Sequence, residues 1–165
     1  MSFIDLRSYL AHLEQIGELL RIRAPVDPDQ ELTIIQHRVM ASGGPALLFE
    51  NVTGSSYRVV SNLFGTRSRT ELVFGGDPEA LGQRIHRLSR TLMPPTIRGV
   101  FKSRSDLLAL STARMRRVND GPILETGDTS PDLNQLPVLT CWPEDGGPFF
   151  TLPMVHTTDP VDATG

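Results

Sequence analysis

Leu133-Asn134-Gln135-Leu136-Pro137-Val138-Leu139-Thr140-Cys141-Trp142-Pro143-Glu144-Asp145-Gly146-Gly147-Pro148-Phe149-Phe150-Thr151-Leu152-Pro153 divides the chain into two kinds of sequence. It holds the only Trp, the only Cys and four Pro. A turn-rich hinge, Pro143 to Pro148, leads into an apolar run, and Phe149–Thr157 reads as a strand. Ile123–Thr126 is a second strand candidate, and no helical periodicity is found after Val118. This part reads as the opening of an all-β or mixed domain, and the chain as the front of something longer.

Working back from that stretch, the earlier sequence alternates helices with short strands. Asp5 is placed to cap a helix through Leu6, Tyr9, Leu10, Leu13 and Ile16, stopped by Gly17. Leu19–Ile22 reads as a strand. Asp27 followed by Pro28 predicts a cap and a first-turn proline, opening a helix through Leu32, Ile35 and Val39 to Gly43-Gly44. Ala46–Phe49 and Tyr57–Val60 are strand-like and flank a polar loop. Thr66 is placed to cap a short helix to Phe74, and Asp77-Pro78 to open one that ends at Pro94-Pro95. Ser105 is expected to open a last helix reaching about Arg117. These capped, striped helices predict that residues 1–118 fold on a core of their own.

Charge separates the same two parts. Between Arg84 and Arg117 stand nine basic residues and one acid, Asp106, whereas Val118 to Gly165 has eight acids and no Lys or Arg. The break falls near Val118-Asn119-Asp120-Gly121-Pro122, which sets the expected domains at 1–118 and 119–165. The chain has 165 residues, a hydrophobic fraction of 39%, a charged fraction of 21% and a net charge of −3, the balance of a soluble globular protein. That balance gives no reason to expect nucleic acid as a partner, and the basic stretch lacks the interleaved aromatics of a single-strand binder. A single Cys excludes an internal disulfide, and a cytoplasmic location is the simple reading. No signal peptide and no transmembrane segment is recognised.

Each candidate site has a structural alternative. Gly43-Gly44-Pro45 after a helix reads as its stop before it reads as a phosphate loop. Asn62-Leu63-Phe64-Gly65-Thr66-Arg67 has the letters of an anion site at a helix N-terminus, and equally those of a turn feeding a capped helix. His12, His37, His86 and His156 have no metal-ligand spacing with one another or with Cys141. Cys141 has no His nearby in sequence to activate it. Glu144-Asp145 stands before Gly146-Gly147, where acids are mostly turn residues. The residues alone therefore assign no catalytic and no metal-binding position.

Four ordered stretches carry a resemblance. They are Asp5-Leu6-Arg7-Ser8-Tyr9-Leu10 with Gly17-Glu18-Leu19, then Gly43 to Asn51, then Asn62-Leu63-Phe64-Gly65-Thr66, then Leu136-Pro137 through Pro153. In this order, and over nearly the whole chain, they resemble the UbiD family, decarboxylases that use prenylated FMN and include polyprenyl-4-hydroxybenzoate decarboxylases of ubiquinone biosynthesis. The resemblance implies an α/β (α+β) N-terminal domain, followed by the first β-rich segment of a truncated split-barrel, flavin-binding domain. It implies prenylated FMN and Mn2+ as cofactors of the complete enzyme, an aromatic or α,β-unsaturated carboxylic acid as substrate, a flavin prenyltransferase as cofactor supplier, and a homo-oligomer. In the family the modified flavin is an electron sink for the carbanion left when CO2 departs. The family's Asn-x-Gly-x-Tyr-Arg segment, with its metal-binding Asn and catalytic Arg, is not found in this sequence, so the chain alone is expected to be inactive. Of the cofactor-binding positions only Thr151 carries over. A stand-alone binding or assembly module with the same fold is the alternative.

Overall fold

The computed structural model describes residues 3–94, 96–111, 121, 125, 127, 130 and 132–152. By compactness the chain forms two units, one of residues 7–65 with 132–165 and one of residues 1–6 with 66–131. The boundary expected near Val118 lies largely outside the described residues, as do most of the strand expected at Ile123–Thr126 and the stretch 112–117 of the expected last helix.

The first unit is built on a small sheet. Helix α1 (Leu6–Gln15) precedes strand β1 (Leu19–Ile22), helix α2 (Glu31–Ala41), strand β2 (Ala46–Phe49) and strand β3 (Val59–Ser61). Strand β1 pairs parallel with β2, Leu19 opposite Ala46 and Ile22 opposite Phe49, and α2 is the crossover that parallel pairing requires. Strand β3 returns antiparallel on the other side of β2, Leu47 opposite Ser61 and Phe49 opposite Val59. The sheet order is therefore β1-β2-β3. The central strand is buried along its whole length, which explains why Ala46-Leu47-Leu48-Phe49 is apolar without alternation. On one face, Leu47 and Phe49 meet Val26, Leu32 and Val52.

The core of this unit is not confined to residues 1–118. Leu139 is a sixth buried member of the same cluster, and Cys141 packs against it. Thr140 forms a parallel bridge with Asp29. The Gln30 amide donates to the Thr140 carbonyl at 2.8 Å, and the Ser55 hydroxyl to the Gln135 carbonyl at 2.7 Å. These bonds also explain a departure from expectation at α2. The helix begins at Glu31 rather than at Pro28, because residues 26–30 are spent on bridges from Val26 to Val52 and from Asp29 to Thr140. Asp27 closes the preceding turn instead, its carboxylate accepting from the Asp29 amide at 2.8 Å. Gln30 takes a left-handed φ of 63° at the junction.

The stop of α2 is as read. Gly43 has φ 67°, and a side chain at Gly44 would place its Cβ 2.7 Å from Val39 Cγ1. A β-carbon does not fit there, so the pair turns the chain directly into β2. After the acidic stretch, one helical turn was not anticipated: Leu133–Gln135 is a 3-10 turn, capped by the Asp132 carboxylate accepting from the Asn134 amide at 3.0 Å. Of the strand expected at Phe149–Thr157, Phe149 forms an antiparallel bridge with Leu139, residues 151–152 are bends, and the remainder lies outside the described residues.

On the sheet's open edge, Arg21 of β1 bridges two carboxylates, Glu14 and Glu50, each at 2.6 Å. Its hydrogen bonds are the main reason both carboxyl groups lie below the ordinary carboxylate range. A depressed folded-state pKa stabilises the fold above the ordinary value of 4.5, and the contribution disappears as the pH falls through the depressed values. The destabilisation caused by Arg21→Gln is therefore expected to be constant near neutrality and to vanish in strong acid. Urea titrations of both proteins across this range check it, and a difference that grows toward low pH would contradict it.

The second unit is helical in its described residues. Helix α3 (Arg67–Phe74) is capped by Thr66, and α4 (Pro78–Leu92) by Asp77 with Pro78 in the first turn, both as read. Arg67 gathers Glu71, Asp77 and Glu79 at 2.8, 3.0 and 3.3 Å, tying the end of one helix to the start of the next. Helix α5 (Ile97–Lys102), capped by Thr96, was not anticipated. It approaches α4 so closely that a Cβ at Gly99 would lie 2.6 Å from the Thr91 carbonyl oxygen. It also displaces the expected cap: α6 (Arg104–Ser111) starts before Ser105, and the carbonyl of Ser103 accepts from the Leu107 amide at 2.9 Å.

Candidate functional site

The residues around the single Trp are positioned by one carboxylate. Asp145 Oδ2 accepts from the amides of Cys141 at 2.9 Å and of Trp142 at 2.8 Å, and the Asp145 amide donates back to the Trp142 carbonyl at 3.1 Å. Asp145 is thus a turn-forming residue, the structural alternative of the two weighed for the Glu144-Asp145 pair. The turn anchors one end of the segment whose other end, Leu139, is in the core.

Two hollows adjoin this turn. The larger, about 480 Å³, is lined by α2, by β3 and the loop after it, and by the segment carrying Cys141, Trp142, Thr151 and Leu152. Its walls are mainly apolar, with Met40, Leu63, Phe64 and Leu139 among them, and no Asp, Glu, Lys, Arg or His lines it among the described residues. The smaller, about 300 Å³, shares Thr33, Cys141 and Trp142 with it and adds His37 and Arg38. Both volumes are at or within the lower half of the range of ligand sites. Thr151, the position singled out by resemblance, is exposed and lines the larger hollow.

Asn62 shapes the wall of that hollow, a role not visible in the sequence. It has a left-handed φ of 56°, is 8% exposed, and donates through Nδ2 to the carbonyls of Gly44 at 3.2 Å and Pro45 at 2.8 Å. The stretch Asn62 to Arg67 is therefore a turn fixed to the end of α2 that feeds a capped helix. Arg67 is engaged with three carboxylates, which also hold its guanidinium more firmly protonated. Asn tolerates the left-handed conformation better than other non-glycine residues, the one local signal that the sequence offered.

No group of three or more His, Cys, Asp and Glu that could hold a metal stands together among the described residues. Cys141 is a free, half-buried thiol. No helix among the described residues is long and apolar enough to cross a membrane.

Two family models match in succession. Residues 10–89 match the 3-octaprenyl-4-hydroxybenzoate carboxy-lyase N-terminal domain, and residues 115–165 the Rift-related domain of the same carboxy-lyase. The chain belongs to the UbiD family. Among curated relatives, the UbiD chain is 44% identical over 161 residues to an uncharacterized protein of Chlamydia trachomatis, covering 94% of this chain and 27% of that protein. It is 40% identical over 165 residues to a 4-hydroxybenzoate decarboxylase subunit of Chlamydia pneumoniae, covering 99% of this chain and 27% of that protein. The chain thus spans about a quarter of the length of the curated relatives it matches.

Solved structures of the UbiD class match at lower coverage. An evolved dimeric form of HmfF from Pelotomaculum thermopropionicum, in complex with prFMN, matches at 32% identity and a TM-score of 0.43, over 53% of this chain and 19% of that one. The vanillic acid decarboxylase of Sedimentibacter hydroxybenzoicus in its open form, with truncated ShVdcD, matches at 34% identity and a TM-score of 0.42, over 46% of this chain and 16% of that one.

Proposed function

We propose that this chain is the N-terminal part of a UbiD-type decarboxylase that removes CO2, non-oxidatively and reversibly, from an aromatic or α,β-unsaturated carboxylic acid with prenylated FMN and Mn2+. The observation that carries the reading is the succession of two carboxy-lyase models along one chain. The relative named as part of a 4-hydroxybenzoate decarboxylase, similar over 99% of the chain, supports it. In this reading residues 1–118 are the family's N-terminal domain, and residues 119–165 open its split-barrel, flavin-binding domain. The antiparallel bridge between Leu139 and Phe149 supports the reading of this region as β-rich. The working location is the cytoplasm, and a flavin prenyltransferase supplies the cofactor.

The described residues serve the flavin ring better than its phosphate or the metal. The larger hollow offers apolar walls and the exposed Thr151 hydroxyl, and Thr151 is the residue we assign to the cofactor. Among the described residues no cation lines that hollow to meet a phosphate, and no metal-ligand group stands together. The metal and the phosphate therefore do not fit the residues described.

Supplied with prenylated FMN, Mn2+ and 4-hydroxybenzoate, the purified chain is expected to release no CO2 above a protein-free control. Turnover by the chain alone would overturn its assignment as one part of an active enzyme. The reading also expects the coding sequence after Gly165 to continue in frame into an Asn-x-Gly-x-Tyr-Arg segment. A stop codon there would favour the non-catalytic module instead.

A further inference from the structure

Two polar atoms on the wall of the larger hollow are buried with no hydrogen-bond partner among the described residues. They are Oγ of Ser61, at the end of β3, and Oδ1 of Asn62, the residue after it. The residues lining this hollow all belong to the unit of residues 7–65 and 132–165. The left-handed φ of Asn62 breaks the alternation of the strand, so two consecutive side chains share one wall. Buried polar atoms are paired in the great majority of cases, and an exception calls for an explanation.

The two atoms differ in what they can do. Nδ2 of Asn62 is committed, donating to the carbonyls of Gly44 and Pro45. Exchanging the amide's oxygen and nitrogen would set an oxygen against both carbonyls, so the orientation is fixed and Oδ1 can only accept. Ser61 beside it carries a hydroxyl, which donates as well as accepts. The wall thus offers a fixed acceptor next to a donor, in a hollow that no Asp, Glu, Lys, Arg or His lines among the described residues. An ionised carboxylate would bring only acceptors to Asn62 and find no cation. A ring N–H beside a carbonyl would satisfy both atoms.

We propose that Ser61 and Asn62 select the occupant of the larger hollow, a flat, uncharged ring with a cyclic amide or imide edge, and that ionised carboxylic acids are refused there. The ring N–H donates to Asn62 Oδ1, and the Ser61 hydroxyl donates to the neighbouring ring carbonyl. The imide edge of a flavin ring is such an edge, and the inference rests on the cofactor reading for that identity alone. Neither atom is open to solvent while the hollow is empty, so both lost their water on folding. A ligand that reaches them as the turn Leu63-Phe64-Gly65 gives way therefore gains two hydrogen bonds without stripping water from the protein side.

The test uses the full chain and two pairs of probes, phthalimide with N-methylphthalimide and lumiflavin with 3-methyllumiflavin. The only Trp, Trp142, lines the hollow, so its fluorescence reports the first pair, and quenching of the flavin's own emission reports the second. Each N–H probe is expected to bind about tenfold more tightly than its methylated twin, and benzoate at pH 7 not to compete. Ser61→Ala is expected to weaken both N–H probes about fivefold without lowering the urea midpoint, because it removes a hydroxyl that has no partner in the empty chain. A purely structural Ser61 would give the reverse, a lower midpoint and unchanged affinities, and would overturn the proposal, as would equal binding of the phthalimide twins or competition by benzoate. Discrimination between the phthalimides without lumiflavin binding would uphold it and remove the flavin ring as the occupant. Lumiflavin and 3-methyllumiflavin bound alike would overturn it and leave the cofactor reading standing, and binding by neither pair would overturn both.

Discussion

Phe49→Ala is expected to cost about 3–5 kcal/mol of folding stability, a large share of the roughly 5–15 kcal/mol that holds an ordinary domain folded. The reason is position more than size. Phe49 ends the central strand at 0% exposure, pairs with Ile22 on one side and Val59 on the other, and packs with Val26, Leu32, Leu47, Val52 and Leu139. Removing the ring leaves a cavity that both neighbouring strands and the α2 crossover are pinned around, so the site collapses poorly. Urea unfolding followed by circular dichroism measures the loss. A cost below about 1 kcal/mol would show that the strand end relaxes freely, contrary to its two-sided pairing.

Ending the chain at Pro131 is expected to be comparably damaging, although it removes no residue of the three strands. The cut deletes Leu139 from the core and withdraws the Thr140 carbonyl from Gln30 and the Gln135 carbonyl from Ser55. A buried leucine is worth about 2–5 kcal/mol, and each lost hydrogen bond about 1 kcal/mol more. The shortened chain should unfold at markedly lower urea concentration, and Leu139→Ala in the intact chain should reproduce at least half of the effect. An unchanged midpoint would restore the expectation of a self-contained front domain.

The parts of the fold legible in the sequence are those decided within a few residues. Thr66 and Asp77-Pro78 announced their helices, Gly43-Gly44 announced a stop, and the apolar run Ala46–Phe49 announced a strand, whose burial along its whole length only the structure showed. What was illegible was decided at long range. Asp27-Pro28 has the letters of a helix start, but its backbone is claimed by Val52 and by Thr140, so the helix waits until Glu31. Helix α5 escaped because its six residues are too few to show a periodic stripe. At the site, Asp145 was readable as a turn residue, whereas its grip on the Cys141 and Trp142 amides was not. Asn62 was visible only as part of a polar turn, because its two carbonyl partners are set by the return of α2. Thr151 came to notice through resemblance alone, since an isolated Thr near a bend has no chemical signature.

The sixth member of the core has a consequence for the birth of the molecule. On the ribosome, both edges of the sheet and its crossover emerge first, then the whole helical stretch, and only afterwards Leu139. Through that interval the other five members of the cluster, Val26, Leu32, Leu47, Phe49 and Val52, lack their sixth partner, which has not been translated. Contacts so distant along the chain close slowly, and exposed apolar side chains attract chaperones or neighbouring nascent chains. The spacing between the five and the sixth therefore makes the helical stretch a timer: how quickly it is synthesised and compacts sets how long the newborn protein remains vulnerable.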